Sequence, residues 1–430
     1  MTNSSTATIG DTVDDLYLEL HFTAVFFRYI VQCLSHDVSV LCEAVVKSVS
    51  WISDDVYSIF SEELAGLQQD LLELRTESLR KKKRHDILRS ALSRVYSDTV
   101  LVAATALEYA APFSRYHTSF IKYVSGTRSY LEMENVNDVP VLHELRCNFC
   151  DFIFGMCKKF KDPLYVLLFN DEVRFDLFSL FTKWCGGFFC HTKPLAPVFG
   201  TIPWYETSLG LKAFQAASSL CRGPVFDTSA AINKDGYICT WVHNAFEIKI
   251  EAIRQLTMEA LKTVLIDNSH EKGLLAWAVD LIYTGSTLVR SGMIETICNV
   301  MILNLSYPFD RITILTAVVF MTGEVAENIH HKACCLVDSL VRHYYAGMDG
   351  PILPAVCDLG SSRPCFRHDQ VSNGLIYFIF IFLDCYVLRH IINVYVFIGK
   401  NIYIYVCVRD RERVYVCVIV CECSCKKKSV

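Results

Sequence analysis

Cysteine and histidine carry the most obvious chemistry of this chain, and they fall into two groups with spacing suggestive of metal ligands. Cys147 and Cys150 form a Cys-x-x-Cys pair, with Cys185 and Cys190-His191 further on, so four or five zinc ligands can be named. His330, His331, Cys334 and Cys335 form the second group. Spacing argues against both. The first pair lies in RCNFCDFIFGMCKKF, where Cys at i and i+3 are ordinary buried positions of an apolar helix, and the second spacing of that group is irregular. The His-Cys cluster has no second pair at matching distance. The expectation is no metal site, no cofactor and no catalytic residue. A Gly-x-Ser-x-Gly elbow, a Gly-x-Gly-x-x-Gly turn and a Gly-Lys-Ser/Thr loop are all missing from the sequence, and its 13 histidines are dispersed.

From Asp11 to about Gly350, apolar residues recur at helical spacing and are punctuated by Gly, Pro, Asn and Asp every ten to twenty residues. Between Lys249 and Ile266, Ile253, Leu256, Ala260, Leu261 and Val264 line one stripe, with Glu251, Glu259 and Lys262 opposite. A helix over Leu274 to Tyr283 ends at Gly285, and Ser286 caps the next, running from about Thr287 to Leu303. Further helices are expected over Arg311 to Phe320 and Ala326 to Tyr345. Gly186 to Gly210, with Pro194, Pro197 and Pro203, reads as a long loop.

Bulk composition narrows the class. At 430 residues the chain exceeds the size of a usual single core, which favours several domains or a repeat array. A net charge of -5, from 41 basic and 46 acidic residues, predicts no global attraction to nucleic acid or anionic membrane. No basic n-region followed by an apolar stretch opens the sequence, so a cytosolic chain is expected, with its 20 cysteines mostly buried thiols and its Asn-x-Ser matches without meaning. Arg80 to Arg84 forms a basic run on a helix over Ser78 to Arg94, read as a solvated face, with a nuclear-import or anionic-partner patch as the alternative.

The tail has a different character. NIYIYVCV, then RDRERVYVCVIVCECSCKKK, alternates Ile-Tyr, Arg-Glu and Val-Cys, the pairs that alternating A/T, G/A and T/G dinucleotide repeats encode. Translated non-coding DNA is the simplest reading, with no selected packing pattern. The apolar run GLIYFIFIFL from Gly374 to Leu383 is too short for a span and is followed by Asp384, Arg389 and His390. A membrane anchor over 374–398 is the alternative reading.

One block resembles a known family. LAWAVDLIYTGSTLVRSGMIETI places Trp277, Ala278, Val279, Asp280, Tyr283, Thr284, Gly285 and Ser286 in a pattern similar to that of the Furry family of cell-morphogenesis proteins. Upstream, Cys221-Arg222-Gly223-Pro224-Val225-Phe226-Asp227, Gly236-Tyr237-Ile238 and Trp241 resemble the run leading into the same repeat, and Lys81 to Leu92 fits the family's early part. The similarity covers about Asp54 to Tyr345. It implies a non-enzymatic scaffold that binds and supports NDR-type kinases with a Mob-type coactivator. Such a scaffold works at the cell cortex and cytoskeleton in polarised growth and neurite patterning, alongside cytoskeleton-associated proteins. It also implies a much longer protein, of which this chain is an internal fragment. From the residues alone, the block reads as repeat-stabilising: Trp277 as a large buried anchor, Gly285 as a helix end with positive φ, Ser286 as a cap.

The expected fold is all-α, a HEAT/armadillo-like α-solenoid of helical hairpins. Its segments are an N-terminal helical segment at 1–50, a repeat block at 51–185, a loop at 186–210, a second block at 211–350 and the low-complexity tail at 351–430.

Overall fold

The computed structural model describes residues 9–36, 38–72, 79–109, 115–133, 140–186, 202–225 and 236–304, parts of 307–339, and the backbone of 394–398, 402–408 and 414–415. The chain divides into two compact units, 1–277 and 278–430.

Among its described residues the first unit consists of helices joined by short turns. Its elements are α1 (Ile9–Cys33), α2 (Ser39–Val49), α3 (Asp54–Leu72), α4 (Leu79–Asp98), α5 (Val100–Tyr109), α6 (Arg115–Met133), α7 (Pro140–Lys159), α8 (Leu164–Leu168) and α9 (Asp171–Trp184). A 3-10 turn at Trp204–Glu206 precedes α10 (Ser208–Ser219), α11 (Tyr237–Phe246) and α12 (Glu251–Asp267). Helix α13 (Lys272–Thr284) crosses the division, and α14 (Thr287–Leu303) belongs to the second unit.

Local chemistry sets several of these boundaries. Asn170 accepts a 2.9 Å hydrogen bond from Val173 N at the start of α9, and Asp171 and Glu172 place negative charge on the positive end of that helix. Thr207 does the same for α10 through Gly210 N, at 3.0 Å. The expected loop over 186–210 therefore ends earlier: residues 204–206 already form a turn and α10 starts at Ser208, because the Thr207 hydroxyl satisfies an amide that a continuing loop would leave open. Residues 187–201 lie outside the described ones.

Packing follows the amphipathic stripes. Helix α7 carries Leu145, Phe149, Phe152, Ile153 and Met156 into the core between α4, α5 and α10. Each of the main packed helix pairs in this unit lies within three places of its partner in chain order, as in α1 with α3, α3 with α6, α4 with α7, α7 with α10, and α10 with α12. Two aromatic clusters fill the interior. Tyr96, Phe120, Tyr123 and Phe152 meet with ring centroids 4.9 to 6.3 Å apart. Further along, Trp241 stacks on Phe214 at 5.1 Å and meets Phe178 edge-on at 5.5 Å. Among the described residues, Trp241 is the largest fully buried side chain.

In the second unit, Ile314, Ala317, Val318 and Met321 are helical and fully buried at i, i+3, i+4 and i+7, and residues 330–336 are helical. The tail, expected to carry no selected packing pattern, forms paired strands. β1 (Val394–Ile398) pairs antiparallel with β2 (Ile402–Val408), from Val394 opposite Val406 to Ile398 opposite Ile402, and β2 pairs with β3 (Val414–Tyr415). Alternating β-branched and aromatic residues, whatever their origin, favour the extended backbone. Of the apolar run at 374–398, only β1 is described. No helix among the described residues is long and apolar enough to cross a membrane.

Candidate functional site

Two of the three stretches that carry the resemblance fall on junctions between helices, and they are built differently; the third, Lys81 to Leu92, lies within α4. At 277–286, Leu274, Ala278 and Ile282 form the buried stripe of α13, and each is 0% exposed. Asp280, Tyr283, Thr284 and Ser286 are exposed, while Val279 is half-buried. Partial burial still pushes the Tyr283 phenol up from its ordinary value. The turn is closed by short-range bonds: Thr284 Oγ1 donates to Asp280 O at 2.9 Å, Gly285 N donates to Leu281 O at 3.0 Å, and Val289 N donates to Ser286 Oγ at 3.4 Å. Ser286 therefore caps α14 as its sequence position suggests.

Two expectations for this block need correction. Trp277 is half-buried and not a core anchor, because the stripe that α13 buries runs through 274, 278 and 282, one position away. Gly285 does not hold positive φ; among the described residues Gly186 and Gly223 do. Its need for glycine comes from close approach. A Cβ there would stand 2.6 Å from Leu281 O and 2.9 Å from Val289 Cγ1.

The upstream run Cys221 to Val225 is a clasp. The Arg222 guanidinium donates to Phe160 O at 2.7 Å, Cys157 O at 3.3 Å and Asp162 Oδ1 at 3.1 Å, and lies 4.5 Å from the Tyr165 ring centroid. Gly223, at φ +91°, donates its N–H to Asp267 Oδ2 at 2.6 Å. Val225 N donates to Asn268 Oδ1 at 2.8 Å, while Asn268 Nδ2 donates to Val264 O at 2.9 Å and Gly223 O at 3.3 Å. Beneath the turn, Arg174 donates to Leu220 O, to Pro224 O at 2.9 Å and to Asp171 Oδ1 at 3.2 Å, with only 3% of its side chain exposed. The segment thus ties the ends of α7, α9, α10 and α12 together through backbone carbonyls and the side chains of Asp267 and Asn268. Downstream, Gly236 precedes α11, where Tyr237, Ile238 and Trp241 are buried, while Phe226 and Asp227 lie outside the described residues.

Arg174 and Asn268 do not belong to the resemblance, yet they carry much of this clasp. Arg174 left one trace in the sequence. It occupies the same stripe as the buried Leu177, Phe178 and Phe181, at i+3, i+4 and i+7, where a cation has no place without internal acceptors.

Most of the described cysteines behave as core residues. Cys147, Cys150, Cys157, Cys185, Cys221, Cys239 and Cys298 are buried free thiols, and burial pushes Cys157, Cys221 and Cys239 up to about 12. Thiols so shifted stay protonated and unreactive at neutral pH. Cys190 and His191 lie outside the described residues, and no group of three or more potential metal ligands occurs among the described ones. In the basic run of α4, Lys83 and Arg84 are exposed and Lys82 is half-buried, whereas from Asp86 onward the helix turns inward. Asp86, Arg89 and Tyr130 form a second internal polar group there, with Tyr130 Oη donating to Asp86 at 2.6 Å and Arg89 donating to Leu71 O at 2.9 Å.

No protein-family model matches the sequence.

Proposed function

We propose that this chain is a non-enzymatic helical scaffold of the Furry type, which binds an NDR-type kinase with its Mob-type coactivator and supports it in cell morphogenesis and cytoskeletal organisation. The observation that carries the reading is the Trp277–Ser286 junction. Its apolar positions anchor α13, while Asp280, Tyr283 and Ser286 stay exposed at the helix end. Two further features support a scaffold. Helices pack with near neighbours in chain order, the connectivity that a HEAT/armadillo-like stack of hairpins requires. The buried Arg174 and the part-buried Arg222 are bound to backbone carbonyls within the fold, a structural use of charge.

The test is direct association of the full chain with an NDR-type kinase, with and without the Mob-type coactivator, followed by calorimetry or co-sedimentation. A complex strengthened by the coactivator is expected. Absence of a complex in both conditions removes the reading, including its cortical and cytoskeletal placement.

A further inference from the structure

Three His-to-Cys pairs at i, i+4 occur on the described helices. His143 Nε2 lies 3.8 Å from Cys147 Sγ, His330 Nε2 lies 3.7 Å from Cys334 Sγ, and His331 Nε2 lies 3.8 Å from Cys335 Sγ. The surroundings separate them. Cys147 is buried within the α7 core, and Cys334 is half-buried. His331 and Cys335 are both exposed, side by side on one helical stripe.

We propose that His331 and Cys335 form a bidentate surface site for a zinc-class divalent ion. Zinc bonds of about 2.3 Å to sulfur and about 2.0 Å to nitrogen, meeting at a tetrahedral angle, place the two donors about 3.6 Å apart. The observed 3.8 Å separation needs only a small rotamer adjustment to reach that value. The donating atom is also suitable, because Nε2 is the outer imidazole nitrogen and faces the thiol across one helical turn. The same i, i+4 spacing supplies two zinc ligands in helical His-x-x-x-His sites. A thiolate and an imidazole select zinc-class ions over magnesium or calcium, which prefer oxygen donors. The intervening cation is offset: Lys332 is ion-paired with Glu295.

On binding, the Cys335 thiol releases its proton to solvent, and the thiolate and the Nε2 lone pair each donate to the metal. Water fills the remaining positions, since the described residues offer no group of three ligands. The site is therefore weaker than a closed four-ligand centre.

Cobalt(II) titration of the full chain is the test, with thiolate-to-cobalt charge-transfer absorbance as the readout and zinc(II) as competitor. The full chain should lose one equivalent of cobalt in both Cys335→Ser and His331→Ala. The loss in affinity should exceed the roughly 10- to 100-fold typical of an outer-sphere change, because each variant removes a direct ligand. A band that is absent in the full chain, or unchanged in either variant, overturns the site. A second measurement needs no substitution: zinc(II) should slow alkylation of Cys335 by iodoacetamide at least 10-fold by peptide mapping, and an unchanged rate also overturns it.

Discussion

The clasp at 220–225 and the junction at 277–286 both join helices, yet they spend their polar groups in opposite ways. In the clasp, Arg174, Arg222 and Asn268 reach carbonyls and amides that lie about 45 to 65 residues away in sequence. In the junction, Thr284, Gly285 and Ser286 bond no further than four residues along the chain. A turn tied by long-range bonds resists local opening, because breaking it strands buried acceptors. A turn closed by its neighbours costs little to remodel, and this one holds Asp280, Tyr283 and Ser286 at the solvent-exposed surface. The clasp therefore reads as architecture, and the junction as the place where architecture meets solvent.

Removing the clasp's buried cation should break this comparison most sharply. Arg174→Met keeps volume but leaves Leu220 O and Pro224 O without their donor. A loss of about 2 to 5 kcal/mol is expected, from two buried carbonyls left without a donor at about 1 to 3 kcal/mol each, measured by urea unfolding. A loss below about 1 kcal/mol would place the clasp in the same class as the junction. Next in size is Gly285→Ala, whose methyl group would meet Leu281 O at 2.6 Å and displace the first turn of α14; about 1 to 3 kcal/mol is expected in the same assay. The buried thiols sharpen the picture through pH. Cys157 and Cys221 rise from 9.0 to about 12 through burial, so their contribution is complete below pH 9 and is lost as pH climbs toward 12. Unfolding curves at pH 8 and pH 11 should therefore show lower stability at the alkaline value, and substituting both thiols with alanine should flatten that slope.

How much of this was legible in the sequence depends on the range of each interaction. The cap at Ser286 and the stripe through Ile253, Ala260, Leu261 and Val264 are local properties, and α12 and α14 appear within two residues of their expected bounds. Trp277 was misjudged because size alone does not say which face of a helix is covered; Trp241, 36 residues earlier in sequence, takes the buried aromatic position instead. Gly285 was expected for the right residue type and the wrong cause, since close packing against Leu281 and Val289 is invisible until the two helices are placed. Arg174 was missed for the same physical reason: its acceptors lie 46 to 50 residues downstream. In the tail, dinucleotide-like alternation suggested no packing, yet period-two alternation of Ile, Tyr and Val is also what a strand ladder uses, and β1 pairs with β2.

The smallest expected effects lie in the junction and bear most directly on function. Ser286→Ala removes the bond to Val289 N and should cost about 1 kcal/mol, with Ser286→Asp restoring it through the same acceptor geometry. Tyr283→Ala, at a position 42% exposed, should change stability by less than about 0.5 kcal/mol, because the buried stripe at 274, 278 and 282 is untouched. If the junction is a partner surface, Tyr283→Ala should nonetheless weaken kinase and coactivator binding at least fivefold in calorimetry, a loss of about 1 kcal/mol. The two measurements together separate the roles. Weakened binding with intact unfolding assigns the exposed face to recognition, whereas unchanged binding returns the block to helix joining and moves the search for the contact face to other exposed helix ends.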